Sequence, residues 1–224
     1  MKRRNLLKAL ALTLSFPASA FGKSRSKHNL REIHVVGLGT VGSRWVADHL
    51  QGYNLASITL ISDRQPDQMP ENARFFPFYP PLEVYDCFEE NRFLKTELQL
   101  DRELDPEIVD FLEGKKGMVL LIAGLGKFSG SVLCRSLAGK LCHRKNEDSL
   151  RCLVTAPFAF EGSQAGKRGQ EVSDFLLSNN LDAPVLLEKV RTVHGNIAVR
   201  SAFKKGDDLM MERFLDMMKS ENGQ

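Results

Sequence analysis

The sequence predicts an α/β fold built on a mostly parallel sheet with helices on both faces. Three observations predict it. Short apolar or β-branched runs alternate with segments whose apolar residues recur at helical spacing. Residues 118–123 are apolar at every position, as in a strand buried on both faces. Gly37-Leu38-Gly39-Thr40-Val41-Gly42 stands between a strand and a helix, where a βαβ unit turns. Together they describe a three-layer, Rossmann-like arrangement.

The elements follow in order. Residues 1–22 read as a leader: Lys2, Arg3 and Arg4 precede an apolar stretch at 9–16, and Ala18-Ser19-Ala20 offers small residues for cleavage. Arg3-Arg4-Asn5-Leu6-Leu7-Lys8 resembles the twin-arginine export consensus. The expectation is an exported protein, periplasmic or membrane-associated; without a genuine signal it is a cytoplasmic one. Residues 23–30 are polar and read as a flexible lead-in, 31–219 as one folded domain, and 220–224 as a tail.

Within the domain, a β-branched run at 33–36 leads into the glycines. Val41, Trp45, Val46 and Leu50 then mark a helix. Residues 57–61 form a second strand ending at Ser62-Asp63. Residues 64–100 are the least regular. Pro66, Pro70, Pro77, Pro80 and Pro81 exclude a long helix across the first half, and Phe75, Phe76, Phe78 and Tyr79 are expected to cover a sheet edge or face. Pro106 opens a short helix reaching Glu113. After the strand at 118–123, Leu133, Leu137 and Leu141 mark a helix, and 152–154 are another strand. Val172, Phe175 and Leu176 form the inner face of the next helix, 184–187 a further strand. Phe203, Met210, Phe214 and Met217 lie on one face of a terminal helix. No repeat and no second folded domain are expected.

Composition excludes several classes. The 224 residues are 42% hydrophobic and 26% charged, ordinary for a globular domain with a full core. The leader carries four of the 31 basic side chains and none of the 28 acidic ones, so the net charge of +3 becomes −1 without it. No nucleic-acid footprint remains, and no apolar run is long enough for a transmembrane span. Cys87, Cys134, Cys142 and Cys152 lack C-x-x-C spacing, so no zinc or other metal site is expected; Cys134 and Cys152 read as buried small apolar residues. His34, His49, His143 and His194 have no adjacent nucleophile–acid pattern, and no catalytic residue is assigned.

The glycine segment carries chemistry. Gly37, Gly39 and Gly42 let the backbone approach an anion, while the free N–H groups of Thr40, Val41, Gly42 and Ser43 at a helix start favour phosphate. Asp63, 21 residues after Gly42 at the end of the second strand, stands where a dinucleotide-binding enzyme holds the ribose hydroxyls. Close helix–strand packing without a ligand explains the same glycines.

Two later segments point further. Leu121-Ile122-Ala123-Gly124-Leu125-Gly126-Lys127-Phe128-Ser129-Gly130-Ser131 and Val154-Thr155-Ala156-Pro157-Phe158-Ala159-Phe160-Glu161-Gly162 each run from a strand into a loop. Together they resemble nucleotide-contacting loops of the FtsZ/tubulin GTPases, and the resemblance runs from about residue 33 to 218. Ser62-Asp63-Arg64-Gln65 resembles that family's Asn-Thr-Asp-x-Gln stretch from its second residue. Residues 123–132 fall on the Gly-Gly-Gly-Thr-Gly-Thr-Gly signature that grips phosphates, which implies contacts from Gly124, Gly126, Lys127, Ser129, Gly130 and Ser131. Pro157–Gly162 matches Pro-Phe-x-Phe-Glu-Gly, implying ribose contact by Glu161 beside Phe160. Residues 201–209 resemble the start of the core helix, implying base stacking on Phe203 and base reading by Asp207 and Asp208. The ligand so implied is GTP or GDP, with magnesium left open. A full-length FtsZ-like protein is the partner the resemblance suggests.

The departures suggest little or no hydrolysis. Lys127, Phe128 and Val132 replace signature glycines, and such side chains are expected to close the approach to a phosphate. Lys127 reads either as a compensating cation or as a solvated lysine. Arg44 stands where the family has an Asn facing guanine. Ser163, Gln164 and Ala165 replace basic residues, while Lys167 and Arg168, further on, read as a solvated helix face. No counterpart of the γ-phosphate-sensing Gly-Leu-Gly-Ala-Gly loop is visible. The family's water-activating acidic loop lies beyond the core helix, and the sequence ending at Gln224 is expected to lack it, leaving a domain able to cap a filament but not to extend one. Two alternatives stay open: a Rossmann NAD(P)- or adenylate-binding enzyme, and an interaction module reusing the fold.

Overall fold

The computed structural model describes residues 32–81, 100, 102–144 and 149–222. The leader, the lead-in, Cys87 and the last two residues of the tail lie outside them, as does most of the proline- and phenylalanine-rich stretch beyond Pro81.

The chain alternates strand and helix: β1 (Ile33–Leu38), α1 (Gly39–His49), β2 (Ser57–Ser62), β3 (Ala73–Pro77), α2 (Pro106–Glu113), β4 (Met118–Gly124), α3 (Phe128–Leu141), β5 (Leu150–Ala156), a 3-10 turn at Ala159–Glu161, α4 (Ser163–Ser178), β6 (Val185–Leu186), α5 (Glu188–His194) and α6 (Val199–Asn222). The strands form one sheet in the order β3-β2-β1-β4-β5-β6, and every neighbouring pair is parallel. The predicted fold class is thus observed.

Strand alternation explains the unbroken apolar run in β4. Successive side chains face opposite layers. Leu120 and Ile122 share a layer with Trp45 and Val46 of α1, with Leu50 just after it, and with Met210, Phe214 and Met217 of α6. Val119, Leu121 and Ala123 meet Ile108 and Leu112 of α2, Leu133 and Leu137 of α3, and Val172 and Leu176 of α4. Residues 118–123 are fully buried, so neither face of the strand tolerates a polar residue. A fully buried side chain such as Phe214 contributes roughly 1.5–3 kcal/mol of transfer free energy. Polar anchors complete the frame. His34 is buried; its Nε2 donates to Lys116 O at 2.7 Å, which leaves Nδ1 to accept from Ser57 Oγ at 2.8 Å. Burial pushes its pKa below the ordinary histidine value. Asp182 accepts from Arg151 Nε and Nη2 and from the Cys152 amide at 2.8–2.9 Å, fixing the turn after α4 to β5.

Three elements differ from the sequence reading. β3 is a full edge strand inside the stretch read as irregular; Pro77 ends it where no ladder partner is needed. Phe75 and Phe76 lie in it, and Arg74 spreads its guanidinium 4.4 Å over Phe76 and 4.5 Å over Phe111. α5 lacks an apolar stripe of its own and contributes only Val190 to the core. Phe203 leaves the apolar face of α6: Met210, Phe214 and Met217 are buried, whereas Phe203 is 42% exposed. Among the described residues no helix is long and apolar enough to cross a membrane.

Candidate functional site

β1 and β4 are neighbours, yet the chain leaves them on opposite faces, into α1 on one side and α3 on the other. Their carboxyl ends therefore lie at the point where strand order reverses, the usual ligand position in open α/β sheets. Both helices start almost at once. Neither α1 nor α3 has a side-chain cap or an acidic residue in its first turn, and α4 lacks both as well. The first N–H groups of each helix have no intrahelical acceptor, and the helix dipole adds positive potential. This sheet edge thus has helix starts without side-chain caps and without a carboxylate in their first turns.

Glycine makes the convergence feasible. A Cβ on Gly42 would lie 2.1 Å from Ile122 O, and one on Gly130 2.3 Å from Gly124 O, so each helix start presses on the backbone of β4. Gly39, at φ +65°, would place a Cβ 2.8 Å from Gly130 N: the two phosphate-type loops touch. Val41 covers Gly124 on the outer side. The third loop joins them, since a Cβ on Gly126 would meet Pro157 Cγ at 3.0 Å and Leu125 N donates to Thr155 O at 3.0 Å.

Several side chains read from the sequence as ligand contacts also hold these loops. Ser43 Oγ donates to Gly37 O at 3.0 Å. Ser131 is buried and its Oγ accepts the Gly126 N–H at 3.0 Å. Asp63 Oδ1 accepts from Thr40 Oγ1 at 2.9 Å and from Ser62 Oγ at 3.1 Å, tying the ends of β1 and β2. Glu161 Oε1 accepts the Phe158 N–H at 2.9 Å, closing the 3-10 turn. Lys127 is exposed at the start of α3, and Ser129 is half-buried.

Two expectations are corrected. Phe128 and Val132 do not stand over the phosphate loop: both side chains are buried in the core, where Phe128 stacks on Phe78 with centroids 6.3 Å apart. The backbone approach they were expected to close is not closed by them. Arg168 is not on a solvated face. It is 7% exposed, its Nε donates to Gly126 O at 2.9 Å, and its Nη1 is buried without a partner. The signal was present in its spacing, since Arg168, Val172 and Leu176 fall on one line of α4. Burial lowers the Arg168 pKa from its ordinary value.

At the far rim lies an aromatic group. Phe158 is buried on Leu187, Val190 and Ala202. Phe160 stacks on it at 4.8 Å, and Phe203 meets both edge-on at 5.3 and 5.9 Å. Phe160 and Phe203 stay 44% and 42% exposed, so they form an accessible apolar shelf. Glu188 braces it, accepting from Ala159 N at 3.2 Å. Neither Glu188 nor Arg168 was singled out for a site role in the sequence. Further along α6, Asp207 is half-buried: desolvation raises its pKa, while His49 and Arg44 of α1 counter the rise. Asp208 is exposed. Among the described residues no group of three or more His, Cys, Asp or Glu side chains is placed to hold a metal.

No protein-family model matches the sequence, and no curated protein matches it. Solved structures do. An FtsZ dimer from M. jannaschii superposes with a TM-score of 0.59 at 16% identity, over 87% of this chain and 56% of that one. A GTPγS-bound protofilament of CetZ2 from Haloferax volcanii gives 0.57 at 16% identity, over 85% and 59%. CetZ from Methanosaeta thermophila gives 0.55 at 13%, over 84% and 54%. The chain spans a little over half the length of each. It has the fold of FtsZ and CetZ, the tubulin/FtsZ type of three-layer α/β sandwich.

Proposed function

We propose that the carboxyl edge at β1 and β4 binds a guanine nucleotide, and that the chain hydrolyses it slowly or not at all. One observation carries this reading: the uncapped starts of α1 and α3 meet at Gly39 and Gly130, beside a loop whose aromatic shelf is accessible. In this reading phosphates rest on the backbone of residues 39–43 and 126–131. The ribose lies by the free oxygen of Glu161, and the base lies against Phe203 near Asp207 and Asp208. The side chains described at these helix starts support slow hydrolysis. No acidic residue stands in the first turns of α1, α3 or α4, and Asp63 is held by Thr40 and Ser62. None of these groups is placed to orient an attacking water. Magnesium is not assigned.

The same proposal includes a full-length FtsZ-like protein as partner. Co-sedimentation with such a filament tests it, and unchanged polymer mass and length on adding this chain would remove it. Export is likewise proposed from the leader; the position of a C-terminally tagged chain in fractionated cells decides it.

A second reading, a dinucleotide-binding enzyme, is favoured by Asp63 at the end of β2 and by a strand order shared with Rossmann enzymes. It leaves the shelf at Phe160 and Phe203 without a role. Isothermal titration of the full chain with GTP, GDP, NAD⁺ and NADP⁺ separates the two. Heat with guanine nucleotides alone supports the first reading, and heat with the dinucleotides alone overturns it.

A further inference from the structure

Arg168 is a buried cation to which no described residue supplies a counter-charge. It is 93% enclosed, and among the described residues no carboxylate pairs with it. One donor is used: Nε holds Gly126 O at 2.9 Å. Nη1 is enclosed and has no acceptor. Enclosing a guanidinium in this way is costly unless an anion or acceptor completes it.

Its location names the completing group. Gly126 is held from both sides, its N–H by Ser131 Oγ and its carbonyl by Arg168. With φ at +96° the chain then turns directly into α3. Lys127 supplies no cap, so the amides of Phe128, Ser129 and Gly130 lack intrahelical acceptors. A guanidinium whose Nη1 has no acceptor is thus anchored two residues before the start of an uncapped 14-residue helix. Both call for the same ligand chemistry, a tetrahedral oxyanion that accepts several N–H groups. A lone structural role for Arg168 would be fulfilled by a neutral donor to Gly126 and would not require a cation.

We infer that Arg168 is a phosphoryl-binding residue, supplying to a phosphate at the start of α3 the positive charge that the loop's own exposed Lys127 does not fix in place. The inference rests on this edge being a phosphate site and deepens the nucleotide reading, yet it survives if the base is not guanine.

The test uses the full chain and three probes: pyrophosphate, GDP and guanosine, titrated into the wild type, Arg168→Gln and Arg168→Lys, with circular dichroism to check folding. Arg168→Gln keeps a donor for Gly126 and removes the charge. Its affinity for pyrophosphate and GDP is expected to fall roughly 10- to 100-fold, as for a lost charge-assisted hydrogen bond, with guanosine unchanged. Arg168→Lys is expected to fall between the two. Should Arg168→Gln not fold, the Arg168 Nε–Hε resonance of the wild type gives the answer: it shifts on adding pyrophosphate if the inference holds. Pyrophosphate binding without guanosine or GDP preference supports Arg168 and overturns the guanine reading. GDP binding with unaltered affinity in Arg168→Gln, or with an unmoved Arg168 resonance, overturns the inference and keeps that reading. No binding of pyrophosphate or GDP by the wild type overturns both.

Discussion

Gly42 and Gly166 offer a matched pair of substitutions. Each is the fourth residue of its helix, α1 and α4 respectively, so alanine brings both the same intrinsic gain of about 0.8–1 kcal/mol. Their surroundings are opposite. A Cβ at Gly166 meets nothing within 4 Å, whereas one at Gly42 would sit 2.1 Å from Ile122 O. A relaxed carbon–oxygen contact needs about 3.3 Å or more, so α1 must retreat from β4 by roughly 1 Å. The obstructing atom belongs to the backbone of a central strand and cannot turn aside. Overpacking of this kind costs about 1–3 kcal/mol, and a backbone clash belongs at the upper end. Gly42→Ala should therefore lose about 2 kcal/mol net, while Gly166→Ala gains up to about 1 kcal/mol. In a chain of this length that corresponds to a melting temperature lower by roughly 4–8 °C in the first case and higher by roughly 1–4 °C in the second. Urea unfolding followed by circular dichroism, with thermal melts alongside, reads both. If Gly42→Ala matches or exceeds the wild type, the close seating of α1 on β4, and with it the loop contact at Gly39 and Gly130, is wrong.

Other consequences follow from named contacts. Asp182→Ala should lower stability by about 2–3 kcal/mol, because its carboxylate holds Arg151 twice and the Cys152 amide; urea midpoints measure it, and a change below about 0.5 kcal/mol would contradict the role. Asp207 has its pKa raised by burial, so the fold favours its protonated form: relative to Asp207→Asn, the wild type should match the variant below the ordinary aspartate pKa and fall behind as pH rises through the folded value. Unfolding free energies of both proteins across acidic to neutral pH give the curve, and a wild type that gains on the variant as pH rises would refute it. Phe203→Ala should weaken guanine-nucleotide binding about tenfold with a much smaller effect on stability, since the ring is 42% exposed and meets Phe158 and Phe160 edge-on. Titration and melting of the variant together decide whether the shelf is for a ligand.

The sheet was legible in the sequence because each central strand advertises itself. β4 is apolar throughout, β1 runs into Gly39, and β5 runs into Pro157. The site was legible only in outline. Glycines marked the loops, since close backbone contact at Gly42 and Gly130 excludes any side chain. What the polar side chains do there was not legible. Ser43, Ser131 and Asp63 are residue types suited to a ligand, and each also makes a tertiary hydrogen bond, to Gly37, Gly126 and Thr40, that no local pattern announces. Phe128 looked obstructive because its direction depends on a tertiary partner, Phe78, fifty residues earlier. Arg168 looked solvated because an arginine on an apolar helix line is rare; only its enclosure against Gly126 reveals the exception. β3 was hidden by prolines that an edge strand tolerates.

The central claim is that the starts of α1 and α3 form one phosphate-binding surface continuous with the aromatic shelf. Backbone amide resonances of the ¹⁵N-labelled chain, followed during titration with GDP, test it most directly. The account predicts that residues 39–43, 127–131, 161 and 203 shift together with one dissociation constant. Shifts confined to the cavity of about 400 Å³ beside Arg102, Arg135 and Lys140, away from the carboxyl edge of β1, would contradict it, as would a spectrum that GDP leaves unchanged.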